Sequence, residues 1–152
     1  MSSPPLFQRL FHRLPAILLV VAVALPAVAP HAAEGVSAKA AKAAKHRMVI
    51  QVTAEESKKW NSILGNVHNI QEELKSDGGV AITVVGIGGG LGMLTAESLA
   101  ANRVQDAMAE GVRFVACGNS MQAQQLSRDD LIAGIAITKA GYVEIHRLQR
   151  QG

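Results

Sequence analysis

The residues of this sequence with the clearest chemical potential are Cys117 and the three that follow it, Gly118-Asn119-Ser120. The chain has one cysteine, so no disulfide can form within it. Cys117 is predicted to end a strand and begin a helix, where backbone N–H groups and the helix dipole favour the nucleophilic thiolate. Asn119 and Ser120 can add hydrogen bonds to an anionic sulfur. The spacing alone fits a reactive thiol and a buried structural cysteine equally well.

A second candidate is the glycine-rich loop that begins with Gly88, Gly89 and Gly90 and continues to Gly92. A dinucleotide-binding loop needs glycine at the first, third and sixth positions, and no window starting in this segment satisfies that spacing. There is also no Gly-Lys-Ser/Thr sequence for a phosphate-binding P-loop. We therefore expect a loop whose small residues let the backbone approach a ligand or a neighbouring subunit.

The titratable residues of the predicted folded domain do not form a recognisable metal or hydrolase motif. His68 and His146 are far apart in the sequence and lack the paired spacing of metal ligands. The sequence offers no recognisable Ser-His-Asp arrangement. The glutamate pairs at 55–56 and 72–73 resemble exposed helix charges. We expect neither a metal ion nor an organic cofactor.

The elements that must position these residues alternate between apolar, β-branched runs and helical patterns. Strands are predicted over 48–53, 80–87, 112–117 and 135–138, and helices over about 54–75, 96–110, 121–126 and 142–149. Alternation of this kind indicates βαβ units with right-handed crossovers. The predicted fold is a single three-layer α/β domain around a mostly parallel sheet of four to five strands.

Three finer expectations concern the helices. Thr53 and Glu56 have the spacing of a capping box at the start of the first helix, and Ser127 is expected to cap a further turn. The second helix is predicted to bury Leu99, Val104, Ala107 and Met108. The last helix is predicted to turn Val143, Ile145, His146 and Leu148 inward.

The N-terminal region has the composition of an export signal. Residues 1–33 combine Arg9 and Arg13 with an apolar run and then small residues, which is typical of a signal peptide. Residues 34–47 are rich in Ala and Lys and predict a flexible linker, and 48–152 form the folded domain. We expect a periplasmic protein, which stays anchored in the membrane if the signal is not cleaved. Membrane contact is otherwise confined to the signal and linker.

The net charge excludes one class of partner. The whole chain carries +3, but from Met48 onward nine Lys and Arg face eleven Asp and Glu. The folded domain therefore lacks the basic surplus that nucleic-acid binding requires.

The sequence also resembles the DsrE/DsrF-like family of sulfur-handling proteins over nearly all of 48–152. The resemblance is carried by Trp60-Asn61 with Asn66 and Asn69, and most specifically by residues 114–121, FVACGNSM. It implies a flavodoxin-like parallel sheet and a homo-oligomer, trimeric or hexameric. It also implies that Cys117 matches the cysteine on which sulfur-relay members carry a persulfide.

Two features depart from that family pattern. Sulfur-relay members are typically cytoplasmic, whereas this chain begins with an export signal, and members commonly continue into a further short strand after the last helix. We therefore expect the sheet to be one strand short or to have an edge completed by another subunit.

These observations lead to three hypotheses. The first is a periplasmic sulfur carrier that exchanges sulfur between Cys117 and a donor or acceptor, either a protein or a small thiol. The second is a non-enzymatic binding or assembly module in which Cys117 is a packing residue. The third is a thiol sensor that peroxide oxidises to a sulfenate.

Overall fold

The computed structural model describes residues 43–151, and these form one α/β unit. Its strands are β1 (His46–Val52), β2 (Val80–Gly86), β3 (Arg113–Cys117) and β4 (Ala136–Thr138). Its helices are α1 (Ser57–Leu74), α2 (Ala101–Ala109), α3 (Gly118–Ala123) and α4 (Gly141–Gln149). Short 3₁₀ turns follow α1 at Lys75–Asp77 and follow β2 at Gly88–Met93.

The four strands form one sheet in the order β1-β2-β3-β4, and every neighbouring pair is parallel. Strand order thus follows chain order, unlike the 2-1-3-4-5 order of flavodoxin. Successive right-handed crossovers in one direction place α1, α2 and α3 on the same face of the sheet. The α/β class and the parallel sheet predicted from the sequence are confirmed.

Side chains of one sheet face pack against these three helices and form the larger core. Phe114 and Val84 are almost fully buried there, because alternate residues of β2 and β3 point toward α1 and α2. Trp60, Leu64 and Val67 supply the buried stripe of α1, at the three- and four-residue spacing of one helix face.

The opposite face carries a much smaller cluster under α4. Val85 and Ile87 point to this face, as do Val115 and Cys117 of β3. Half-buried Ile145 and Leu148 of α4 pack against them. The sulfur-bearing side chain therefore lies beneath α4, on the side of the sheet away from α1–α3.

Several helix details differ from the sequence predictions. Glu56 is the N-cap of α1 with extended backbone, and no side chain caps that helix, so the predicted Thr53 capping box is absent. The Glu56 carboxylate instead bonds Lys59 Nζ at 2.7 Å. Ser127 caps no helix in the described chain; its N–H and hydroxyl both donate to Asp130 Oδ2 at 2.6 Å within a turn.

The second and last helices also differ in which residues face inward. The chain turns through 95–100, tied by an isolated bridge between Thr95 and Leu131, and α2 starts only at Ala101. Leu99 is therefore 86% exposed rather than buried. In α4, Val143 and His146 lie on the exposed side, because only Ile145 and Leu148 reach the sheet.

The predicted signal peptide (1–33) and most of the predicted linker (34–47) lie outside the described residues. β1 begins at His46, two residues before the expected start of the domain, and Lys45 N–H already bonds the Gly78 carbonyl at 3.1 Å. Within residues 43–151, none of the helices is long and apolar enough to cross a membrane.

Candidate functional site

The carboxyl ends of the parallel strands bring the predicted site residues to one edge of the sheet. Cys117 ends β3 and stands beside Thr138, its register partner at the end of β4. On the other side, the chain leaves β2 at Gly86 and enters the glycine turn. Ligand sites of open parallel sheets lie at this edge, beyond the ends of the strands.

Cys117 is buried, with 4% of its surface exposed. Its Sγ accepts a hydrogen bond from the Gly141 N–H, the first residue of α4, at 3.2 Å. Cys117 is also the N-cap of α3, so its sulfur lies near the start of two helices. Both helix termini present positive partial charge to that position.

The surroundings of Cys117 favour its thiolate. Burial acts to raise the pKa of the thiol, since a charged sulfur loses its water. Hydrogen bonds act in the opposite direction: the Ser120 hydroxyl contributes most, followed by the backbone N–H groups of Gly141, Ser120 and Asn119. The donors prevail, and the pKa of Cys117 lies below that of an ordinary thiol.

Ser120 links the thiol to the glycine turn. Its Oγ accepts a hydrogen bond from Gly88 N–H at 3.0 Å, and its hydroxyl acts to lower the pKa of Cys117. The Gly88 carbonyl is in turn bound by Gln124 Nε2 at 2.8 Å. A serine whose oxygen already accepts one bond is oriented to donate toward the sulfur. The Gly88 backbone therefore acts on the thiol through Ser120.

The remaining glycines of the turn serve packing. A Cβ on Gly90 would lie 2.0 Å from the Val52 carbonyl oxygen, and one on Gly89 would lie 2.0 Å from Glu55 Cγ. The turn therefore sits closely on the end of β1. Of the three predicted loop residues, only Gly88 is tied to the thiol's surroundings, while Gly89 and Gly90 are packed against the segment that leads into α1.

The other two predicted site residues connect β3 to β4. A Cβ on Gly118 would lie 3.0 Å from the Thr138 carbonyl oxygen, so the two strand ends approach closely there. Asn119 N–H bonds the Lys139 carbonyl at 3.1 Å and also acts on the sulfur. Asn119 thus contributes to the site through its backbone.

Gly141 belongs to the site but was missed by the sequence reasoning. The residue stands 24 positions after Cys117, and only the parallel pairing of β3 with β4 brings the two together. A useful signal was available: a glycine three residues after the last predicted strand and directly before the predicted helix 142–149. Close packing explains the glycine, because a Cβ there would lie 2.7 Å from Ile87 Cγ1.

The His, Asp and Glu side chains of the described chain are dispersed. Among residues 43–151, no three His, Cys, Asp or Glu side chains come together as a set of metal ligands. His68 lies 3.7 Å from the Glu110 carboxylate at an exposed position on α1.

Comparison with known proteins supports the fold. No family model matches the chain, and no curated protein matches it. A solved structure of a protein of unknown function, MTH1491 from Methanobacterium thermoautotrophicum, is similar with 29% sequence identity and a TM-score of 0.67. The match covers 71% of this chain and 95% of that one. The chain therefore shares the α/β architecture of that protein.

Proposed function

We propose that this protein is a sulfur carrier that holds a persulfide on Cys117. The observation that carries the proposal is the hydrogen bond from Gly141 N–H to the buried Cys117 Sγ at 3.2 Å, with Ser120 and the backbone of α3 also acting to lower the pKa of the thiol. A packing cysteine needs no such set, because a neutral thiol is only a weak acceptor. An anionic sulfur in a buried position requires donors of this kind.

The transfer needs neither an oxidant nor a metal. The Cys117 thiolate attacks the outer sulfur of a donor persulfide; the Cys117 sulfur–sulfur bond forms while the donor's own sulfur–sulfur bond breaks, and the donor leaves as a thiolate. The carried persulfide releases its proton to solvent. An acceptor thiolate then attacks the outer sulfur, and Cys117 leaves as the thiolate.

Each half of this cycle needs a second molecule, because the chain has one cysteine and so no resolving thiol. The donor and acceptor are proteins or small thiols that present a persulfide or a thiolate. The resemblance to the DsrE/DsrF-like family supports this chemistry, a homo-oligomeric state and, with the N-terminal export pattern, action in the periplasm.

One observation favours a second function, a binding or assembly module with a structural cysteine. Cys117 is 4% exposed and packs with Val85, Ile87 and Val115, as a core residue would. Free cysteine is among the most buried residue types. The two functions differ in whether the native thiol reacts.

Mass spectrometry of the native protein after exposure to polysulfide distinguishes them, with Cys117→Ser as the matched control. We expect the mass of one or more sulfur atoms to be added, to be removed by reductant, and to be absent from Cys117→Ser. Labelling of Cys117 that occurs only after denaturation would refute the carrier and support the structural role. If peroxide adds one oxygen where polysulfide adds nothing, the thiol is a sensor instead.

A further inference from the structure

The helix α4 covers the thiol through which sulfur would pass. Cys117 is 4% exposed, and the first residue of α4, Gly141, lies directly against it. Nucleophilic attack by a thiolate requires the partner's sulfur to reach Sγ. With so little of Cys117 exposed, movement of α4 would widen the approach of a donor protein or small persulfide to Sγ.

Packing holds α4 only lightly on the sheet. Gly141 is its only fully buried residue, and Ile145 and Leu148 are half-buried. The other apolar side chains near its start face outward, with Tyr142 62% exposed and Val143 49% exposed. Elements with few buried apolar contacts open at lower free energy than the rest of a domain.

Polar contacts add few further restraints. Glu144, with 14% of its side chain exposed, pairs with Arg113 of β3 at 3.3 Å and with Arg147 of α4 itself at 3.1 Å. Gln51 Nε2 donates to the Tyr142 hydroxyl at 3.3 Å, and that contact is exposed. Both arginine side chains are open to water, 48% and 62% exposed, and contacts with such exposed partners contribute little to stability.

The start of α4 leaves little room on the Gly141 side of Cys117. Gly141 N is 3.2 Å from Sγ, while a second sulfur would be bonded about 2.05 Å from Sγ. Even one carbon atom on Gly141 would lie 2.7 Å from Ile87 and 3.1 Å from Cys117 Cβ. A second sulfur directed toward Gly141 would therefore displace the start of α4.

We propose that α4 is a lid that gates Cys117, and that a carried sulfur holds this lid displaced. The inference rests on the proposed function, since it describes how the carried sulfur enters and leaves. Binding equilibria are reciprocal, so a partner that prefers the displaced α4 also favours the loaded thiol. The exposed pair Tyr142 and Val143 would move with the helix and report the loaded state.

Alkylation kinetics of the native full chain test the lid, with Ile145→Ala and Ile63→Ala as a matched pair. Both isoleucines are half-buried, but Ile145 packs α4 on the Cys117 face and Ile63 packs α1 on the opposite face. We expect Ile145→Ala to speed alkylation of Cys117 at least about tenfold. The acceleration should be similar for iodoacetamide and for a bulky fluorescein maleimide, because lid opening admits both reagents.

The control Ile63→Ala should leave the alkylation rate of Cys117 unchanged, although it should lower the free energy of unfolding measured in urea. Equal acceleration by Ile63→Ala would mean that the thiol reacts only through global unfolding, and it would overturn the lid. Acceleration restricted to iodoacetamide would indicate a small cavity and would overturn it too. If Ile145→Ala does not fold, Leu148→Ala of α4 replaces it, with half-buried Ile70→Ala of α1 as the control.

Mass spectrometry of the same proteins after polysulfide treatment separates this inference from the proposed function. Lid-gated alkylation without any sulfur adduct would refute the carrier and leave the lid in place. A sulfur adduct that forms equally fast in wild type and Ile145→Ala would refute the lid and leave the carrier in place.

Discussion

The two faces of the parallel sheet are covered to very different depths. In the described part of the chain, the face under α1, α2 and α3 has a cluster of 19 buried residues, whereas the face under α4 has four. The first cluster includes Phe114 and the second includes Cys117, although both belong to β3. One strand therefore contributes to a deep core on one side and to the candidate site on the other.

This difference allows one face of a small domain to supply most of its stability while the other face holds the candidate site. Burial of apolar surface is the main favourable term in folding, and most of that burial lies on the α1–α3 face. The α4 face can then open with little loss of stability for the whole domain. A thiol on the deep face would be reached only by unfolding the domain.

The largest expected effect comes from truncating the deep core. Phe114→Ala removes a side chain that is 1% exposed and should lower the free energy of unfolding by about 3–5 kcal/mol. Urea unfolding followed by circular dichroism measures the loss. A loss under about 1 kcal/mol would contradict the assignment of this face as the main core.

Val84→Ala and Val85→Ala compare the two sheet faces directly, because these neighbours in β2 are both 0% exposed and point to opposite faces. Val84→Ala should cost about 2 kcal/mol, and Val85→Ala about 1 kcal/mol less, since α4 can settle into the space. Only Val85→Ala should speed Cys117 alkylation. Equal costs with equal alkylation rates would mean that the two faces do not differ.

Much of this architecture could be predicted from the sequence, because it depends on local patterns. The alternation of strands and helices and the buried stripe of α1 follow from side-chain periodicity. The position of Cys117 at a strand end follows in the same way. The exposure of Leu99 was missed, because the chain bonds to the segment around Leu131 instead of extending α2, and such pairing is not visible locally.

The site itself was only partly predictable. Residues adjacent to Cys117 could be named, since chain continuity places Gly118, Asn119 and Ser120 beside it. The contribution of Gly141 and the burial under α4 depend on which face of β3 carries the sulfur. That choice is set by the register of β3 against β2 and β4, and the sequence pattern of a strand buried on both faces does not specify it.

Gly141→Ala tests the close packing that joins the two regions. A Cβ there would lie 2.7 Å from Ile87 Cγ1, so we expect a net loss of about 1–2 kcal/mol despite the better helix propensity of alanine. Displacing the start of α4 should also speed alkylation and raise the pKa of Cys117. Gly65→Ala is the control, because its Cβ would meet nothing closer than 3.9 Å. Stabilisation by both substitutions would contradict a tightly packed lid.

The smallest expected effect concerns the charge on the sulfur. Ser120→Ala removes the strongest of the donors that act on Cys117, so the pKa of the thiol should rise toward its ordinary value. The midpoint of alkylation rate against pH should therefore move to higher pH, while Ser62→Ala, an exposed serine of α1, leaves it unchanged.

The free energy of unfolding should also depend on the titration of the Cys117 thiol. The folded pKa of Cys117 lies below its unfolded value. The thiolate therefore contributes stability that is complete above that value and is lost as pH falls through the folded pKa. The excess stability of wild type over Cys117→Ser should grow with pH across this interval, and Ser120→Ala should reduce the growth. A pH-independent difference would mean that the donors around Cys117 only pack a neutral thiol, and that the α4 face is a thin core and no carrier site.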